Sequence, residues 1–121
     1  MAAPNIANLT TITGKTTTVS LTSTSATVLL SNAASSGKVL KVNYIGVTNT
    51  TATVATITLT YYTGASLGGS AFAMSTAISV PSGSTLILLQ SQVYLEENTS
   101  FGLTAGTANA LVGICSYEDM S

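Results

Sequence analysis

The strongest constraint on the fold is an alternation of apolar and hydroxyl side chains with a period of two. The clearest case is residues 55–63, where Ala55, Ile57, Leu59 and Tyr61 alternate with Thr56, Thr58, Thr60 and Tyr62. Because successive side chains of a strand point to opposite faces, this pattern predicts a half-buried β-strand. Its outer face is covered by threonine instead of charged residues, and Tyr61 is predicted to point inward while Tyr62 points outward.

Further strands follow from the same reading. Residues 16–22 and 101–103 alternate in the same way, as do Met74, Thr76, Ile78 and Val80. The short apolar runs at residues 26–30 and 85–89 are typical of central strands that are buried on both sides. The apolar residues between 39 and 47 change phase, which predicts a bulge near Gly46.

Turn signals recur at short intervals along the whole chain, and no stretch between them has helical spacing. Threonine and serine fill 38 of the 121 positions, which also disfavours helix. We therefore predict an all-β protein: a single-domain antiparallel β-sandwich, jelly-roll-like or immunoglobulin-like, of about eight strands, with a flattened barrel as the alternative. The domain is predicted to span residues 1–121, and residues 1–12 form a possible N-terminal arm.

Charged side chains are scarce, which excludes several classes of function. The chain has three basic and four acidic residues, a net charge of -1, and no histidine. Nucleic-acid binding needs clustered Lys or Arg, and here Lys15, Lys38 and Lys41 are the complete set. No apolar run is long enough for a membrane-spanning helix, and the first residues lack the pattern of a signal peptide. We expect no nucleic-acid or membrane partner.

The residues from which active sites are built are also missing. Without histidine, the usual base for a nucleophilic Ser, Cys or Thr is absent, and a Ser–Lys pair is not singled out by spacing. The acids occur as neighbours, Glu96-Glu97 and Glu118-Asp119, and the latter pair is expected to be solvated or to meet a Lys of another chain. Cys115 is expected to be an inert core thiol. The chain is thus expected to be no enzyme and to bind no metal, cofactor or small-molecule ligand.

Several short motifs together resemble a known group of proteins. They are Ala-Pro-Asn-Ile at residues 3–6, Thr-Ile-Thr-Gly-Lys-Thr at 11–16, Ser-Ser-Gly-Lys-Val at 35–39, Ile-Ser-Val-Pro at 78–81, Tyr-Leu-Glu-Glu-Asn-Thr-Ser at 94–100 and Cys-Ser-Tyr-Glu-Asp at 115–119. This set resembles small virion structural proteins of marine tailed phages, chiefly contractile-tailed cyanophages. The resemblance runs over most of the chain.

The resemblance implies a non-enzymatic component of a phage particle. The first expectation is a capsid decoration or cement subunit that binds the major capsid protein lattice, with a tail- or fibre-associated, host-binding subunit as the alternative. We expect homo-oligomers and a place on the virion, with synthesis in the host cytoplasm. The residues expected at an interface are Met1, Ala2, Ala3, Pro4, Asn5, Ile6 and Tyr62.

Overall fold

The computed structural model describes residues 6–121, and these residues form nine β-strands and two short 3₁₀ turns. The turns are Ile6–Asn8 and Ala65–Leu67. The strands are β1 (Ile12–Leu21), β2 (Thr27–Asn32), β3 (Val39–Asn49), β4 (Ala55–Gly64), β5 (Gly68–Val80), β6 (Thr85–Leu89), β7 (Val93–Leu95), β8 (Thr99–Ala105) and β9 (Leu111–Met120).

The strands form two antiparallel sheets that pack face to face. Sheet I has the order β1-β9-β3-β6, and β7 also pairs with β3, so β6 and β7 act as one interrupted strand. Sheet II has the order β2-β8-β4-β5. Counting β6 and β7 as one, the first strand pairs with the last, the second with the next to last, and so on inward. This wrapped hairpin is the arrangement of a jelly roll. The predicted all-β antiparallel sandwich is confirmed, and of its two variants the structure has the jelly roll.

The core lies between the two sheets and is built from alternate residues of their central strands. Its largest fully buried members include Phe101 and Leu103 of β8, Ile57 and Leu59 of β4, and Ile45 of β3. Tyr61 packs edge-to-face on Phe101 with 5.8 Å between the ring centroids. The alternation predicted for residues 55–63 is therefore confirmed, including the inward direction of Tyr61.

The predicted change of phase in β3 is present, and it begins three residues before Gly46. The pairing of β3 with β9 shifts between Val42 and Tyr44, which makes Asn43 the bulged residue. The pairing of β3 with β6 shifts again between Ile45 and Gly46. As a result Val42 and Ile45 both enter the core, whereas Tyr44 lies on the outer face with its ring over the Cα of Gly46.

Two strands expected at the centre of a sheet lie at its edge. β2, predicted from residues 26–30, ends sheet II, and β6, predicted from residues 85–89, ends sheet I. The runs of apolar residues have another cause. A register shift in β2 turns both Leu29 and Leu30 inward, and a shift beside β6 half-buries consecutive leucines. A bulge can imitate the sequence of a strand buried on both sides.

The alternating set expected in β5 does not share one face. The register of β5 on β4 shifts twice around residues 74–77, and Ala77 has a left-handed φ of 48°. Ile78 lies opposite the buried Ile57, but Met74 stands outside this register and both side chains are exposed. Val80 is the buried member of the set.

Candidate functional site

The charged residues are divided very unequally between the two sheets. The four strands of sheet II contain no Lys, Asp or Glu at all. Lys15, Lys41, Glu118 and Asp119 lie on sheet I, and the remaining three charges lie in loops. The molecule therefore has one completely uncharged sheet, and its outer face is the first candidate for a functional surface.

The outer face of sheet II is built mainly from small and hydroxyl side chains. Thr58 of β4 pairs with Thr104 of β8, and Thr60 pairs with Gly102, so these residues share the outward face. Hydroxyl groups can bond to the backbone of a partner, and no ion has to lose its hydration when this face is covered. Such a surface suits contact with another protein.

Tyr62 lies on this outer face and is half-buried. Its ring approaches Gly102, where the Cε2 atom stands 3.0 Å from the position that a Cβ would occupy. Leu67 of the 3₁₀ turn approaches the same glycine, with its Cδ2 atom 2.7 Å from that position. The outward direction predicted for Tyr62 is confirmed, whereas its role in an interface stays a prediction.

The segment between β4 and β5 folds back over sheet II. The amide of Ser66 donates to the Ser31 hydroxyl at 2.9 Å, and the amide of Leu67 donates to the Ser100 hydroxyl at 3.0 Å. The amide of Ala65 donates to the Asn98 side chain at 3.1 Å. These bonds fix the turn against β2 and β8, so one end of the outer face is already covered by the chain itself.

The second candidate is a charged cluster where β1, β9 and the loop before β3 meet. The ammonium groups of Lys15 and Lys38 each donate to Oδ2 of Asp119 at 3.2 Å. Burial alone would raise the pKa of the Asp119 carboxyl, but the hydrogen bonds and charges of both lysines outweigh it and hold that pKa below its ordinary value. Asp119 is expected from the sequence to be solvated or to meet a Lys of another chain. The first expectation is wrong, because its side chain is largely buried and binds two lysines of its own chain. The second stays a prediction.

A cavity of about 240 Å³ opens beside this cluster. It is lined by Leu30, Ser31, Asn32, Ala33, Ser36, Lys38, Leu40, Tyr117 and Asp119. The polar groups on its wall bond to one another: the Ser36 hydroxyl donates to Asn32 Oδ1 at 2.6 Å, and Lys38 donates to Asp119. The Ser–Lys pair considered from the sequence therefore does not form here, because the Lys38 ammonium is directed to the carboxylate.

The other acidic residues do not converge on a common point. Glu118 is on the outer face of sheet I, where it accepts a bond from Asn43 at 3.3 Å, whereas its neighbour Asp119 faces inward. Glu97 accepts a bond from the amide of Gly37 at 2.8 Å. Among residues 6–121, no three His, Cys, Asp or Glu side chains are grouped so that they could hold a metal ion.

Cys115 lies in the core on the inner face of β9 and is fully buried. Burial raises the pKa of its thiol to about 12, because the surrounding apolar side chains cannot solvate a thiolate. The expectation that Cys115 is a core residue is confirmed.

Two asparagines that no sequence motif singles out have specific positions in the structure. Asn49 is fully buried, and its amide donates to the carbonyls of Thr53 and Val80 at 2.7 and 3.0 Å. Asn32 donates in the same way to the carbonyls of Lys38 and Leu95, both at 3.0 Å. Each side chain ties the end of one strand to a distant strand, and no local signal distinguishes them from ordinary turn residues.

The remaining residues of the expected interface lie at the N-terminus. Met1, Ala2, Ala3, Pro4 and Asn5 fall outside the described residues, and Ile6 is described through its backbone as the first residue of a 3₁₀ turn. After this turn, the amides of Thr10 and Thr11 donate to the carbonyl of Ser121 at 2.7 and 2.9 Å. β1 itself begins at Ile12, within the boundary predicted for the arm.

Within residues 6–121, the structure has no helix that is long and apolar enough to cross a membrane. No family model matches the chain, and no curated protein matches it in sequence. A solved structure does match in fold: a chain from Bacillus endospore appendages, described as a novel family of disulfide-linked pili. The TM-score is 0.50 at 18% identity, and the match covers 91% of this chain and 87% of that one. At this identity the likeness shows a common fold.

Proposed function

We propose that this chain is a non-enzymatic structural subunit of a phage particle, and specifically a capsid decoration subunit that binds the major capsid protein lattice and stabilises the head. The observation that carries the proposal is the complete absence of charged side chains from sheet II. The centres of protein interfaces are depleted of charge, and a sheet without ions can be covered at little desolvation cost. Repetition over a lattice then turns modest single contacts into firm attachment.

The docking face in this proposal is the outer face of sheet II, which includes Tyr62. Aromatic residues are enriched at interfaces because they combine a large apolar area with a polar atom. The threonine hydroxyls around it supply hydrogen bonds to the lattice. The N-terminal residues 1–6 are proposed to reach a neighbouring subunit, in line with the expectation from the sequence.

The proposal is tested by adding the purified chain to phage heads prepared without it. We expect the chain to sediment with the heads and to raise the temperature at which they release DNA. Thr104→Lys places a charge in the middle of the proposed face and is expected to weaken binding at least tenfold. Ser116→Lys is the matched control, since Ser116 is also half-buried on a central strand but faces outward from sheet I. Equal loss in both variants, or no binding by the wild-type chain, contradicts the proposal.

A tail- or fibre-associated subunit is the second candidate, and the structural neighbour favours it. A chain of the same fold belongs to an appendage described as a disulfide-linked pilus. A similar fold therefore occurs in a pilus. Disulfide linkage is not available to this chain in its folded form, because its one cysteine, Cys115, is buried in the core. The number of copies per particle separates the candidates: many copies spread over the head support decoration, whereas a few copies at one vertex support the tail.

A further inference from the structure

The core of the sandwich is open along one lateral side. A row of inner-face residues crosses sheet II in register: Leu30, Phe101, Tyr61 and Phe72. Leu30 and Phe101 are buried and Tyr61 is half-buried, but Phe72 at the β5 edge is 59% exposed. Ile78 behaves in the same way, since it lies opposite the fully buried Ile57 and is 40% exposed. These side chains point toward the space between the sheets, and nothing in residues 6–121 covers them.

Sheet I contributes the other wall of this opening. β6 contacts β5 across the gap, and its inner-face residues Leu86 and Leu89 lie opposite the buried Val47 and Ile45. Both leucines are half-buried. We call Phe72, Ile78, Leu86 and Leu89 the β5–β6 seam. The seam extends the apolar core to the solvent-exposed side of the sandwich.

The opposite lateral side, between β1 and β2, is polar where β1 begins. The inner-face positions in the first half of β1 are Thr13, Lys15 and Thr17, and Lys15 bonds to Asp119 there. The exposed apolar residues of β1 and β2 are Ile12 and Val28, whose register places both on outer faces. In a head-to-tail row, the apolar seam of one subunit would meet the polar β1–β2 side of the next. These two surfaces are not complementary, so such a row is disfavoured.

The backbone at the seam is also unpaired. Proteins protect edge strands with charges, prolines, bulges or short length. β1 carries Lys15, β2 is short and bulged, and β6 and β7 are interrupted. β5 has thirteen residues without a charge or a proline, and its register on β4 shifts around residues 74–77 and again at residues 69–70. Residues 71–73, which lie between these shifts, pair regularly with β4 and present an edge to which a further strand can be added.

We propose that the β5–β6 seam binds a second copy of this chain in a two-fold symmetric dimer. A two-fold axis normal to the sheet sets β5 antiparallel to β5 of the second copy, which continues sheet II across the interface. The same operation brings apolar seam against apolar seam, so Phe72 and Ile78 of both copies leave water together. The edge carries no charge, so the two identical surfaces do not repel each other.

The dimer deepens the proposed function, because it names the first partner of the subunit and rests on that function for its purpose. The dimer and the proposed function can be contradicted independently. A chain that stays monomeric but binds phage heads contradicts the dimer and leaves the proposed function intact. A chain that dimerises through β5 but ignores the heads contradicts the proposed function and leaves the dimer intact.

The test is sedimentation equilibrium of the full chain. We expect the wild-type chain to dimerise in the micromolar range and Phe72→Lys to raise the dissociation constant at least tenfold, because a charge would enter an apolar contact. Ile12→Lys is the matched control: Ile12 is 60% exposed, like Phe72, but lies on the outer face of the opposite edge. It should dimerise like the wild type. Thermal melting of both variants checks that each is folded.

Hydrogen exchange of the unmodified chain provides a second measurement that needs no variant. We expect the amides within residues 71–73 that point away from β4 to become protected as the concentration rises through the dissociation constant. A monomer at all concentrations, equal dimerisation of Phe72→Lys and the wild type, or loss of the dimer in Ile12→Lys would overturn the proposal. Protection of residues 71–73 that requires added phage heads would also overturn it, because the seam would then belong to the capsid.

Discussion

At the scale of single residues, the cluster of Asp119 with Lys15 and Lys38 contains three of the seven charges of the chain. One carboxylate oxygen joins an edge strand, a central strand and a loop. The lysine side chains are nearly half exposed, so solvent screens the attraction and each pair contributes modestly. The cluster links β1, β9 and the loop before β3 at the polar end of the sandwich. Its contribution to stability depends on pH, because it requires the ionised carboxylate.

Asp119→Asn is predicted to lower the free energy of unfolding by about 0.5–1 kcal/mol at pH 7. The pKa of Asp119 is lower in the folded state than in the unfolded chain. Its contribution is therefore complete above the unfolded pKa and is lost as the pH falls through the folded pKa. The difference between variant and wild type should shrink below pH about 4 and vanish once the carboxyl is protonated.

Urea unfolding at pH 7 and at pH about 2.5 measures this difference. Glu118→Gln is the control, because Glu118 is the neighbouring acid on the outer face and contacts Asn43 instead of a lysine. It should change stability less at pH 7. A destabilisation by Asp119→Asn that is equally large at both pH values would show that packing, and not the ion pairs, is what the carboxylate supplies.

At the scale of the strands, the pattern of apolar and polar residues predicts which face of a strand is buried better than it predicts whether the strand lies at the centre or the edge of its sheet. The two faces of β4 are predicted correctly, because its alternation is regular and β8 continues it without a register shift. β2 and β6 were placed at the centre, since a bulge brings consecutive apolar residues inward. The positions of bulges and of edge strands depend on pairing between distant parts of the chain. The local sequence of these strands does not indicate that pairing.

Two of the glycines of sheet I, Gly113 and Gly14, show how much the effect of the same substitution depends on position. Gly113 of β9 faces the core, and a Cβ there would stand 2.6 Å from Cδ1 of Leu103 in the opposite sheet. Gly14 of β1 is exposed, with nothing within 4 Å of the same position. We predict that Gly113→Ala destabilises the fold by about 1–3 kcal/mol through overpacking.

Gly14→Ala is the control for this change and is predicted to raise stability by about 0.5–1 kcal/mol, because alanine has less backbone entropy to lose in a strand. Urea unfolding of both variants under the same conditions decides the matter. If Gly113→Ala were as stable as Gly14→Ala, the two sheets would be free to separate at this point, and the close approach of β9 and β8 would not limit their packing.

At the scale of the whole molecule, the alternation and the turn signals predict the all-β fold class, whereas the choice among sandwiches needs the structure. The jelly-roll order depends on the first strand pairing with the last, Ile12 opposite Met120, and that contact has no signature in either segment. The absence of charge from sheet II likewise could not be predicted from the sequence. The scarcity of charge is visible in the sequence, but the segregation of all seven charges away from sheet II appears when the strands are sorted into sheets.

That segregation leads to a prediction about salt. If sheet II is the face that meets the capsid, no ion pair forms at the contact, and raising NaCl from about 0.05 to about 1 M should change the dissociation constant from phage heads less than about threefold. Sulfate should strengthen binding, since it favours burial of apolar surface. Titration of labelled chain onto heads at each salt concentration measures both effects. Lys41→Gln, on the outer face of sheet I, should bind like the wild type. A steep weakening with NaCl, made shallower by Lys41→Gln, would instead place the contact on sheet I.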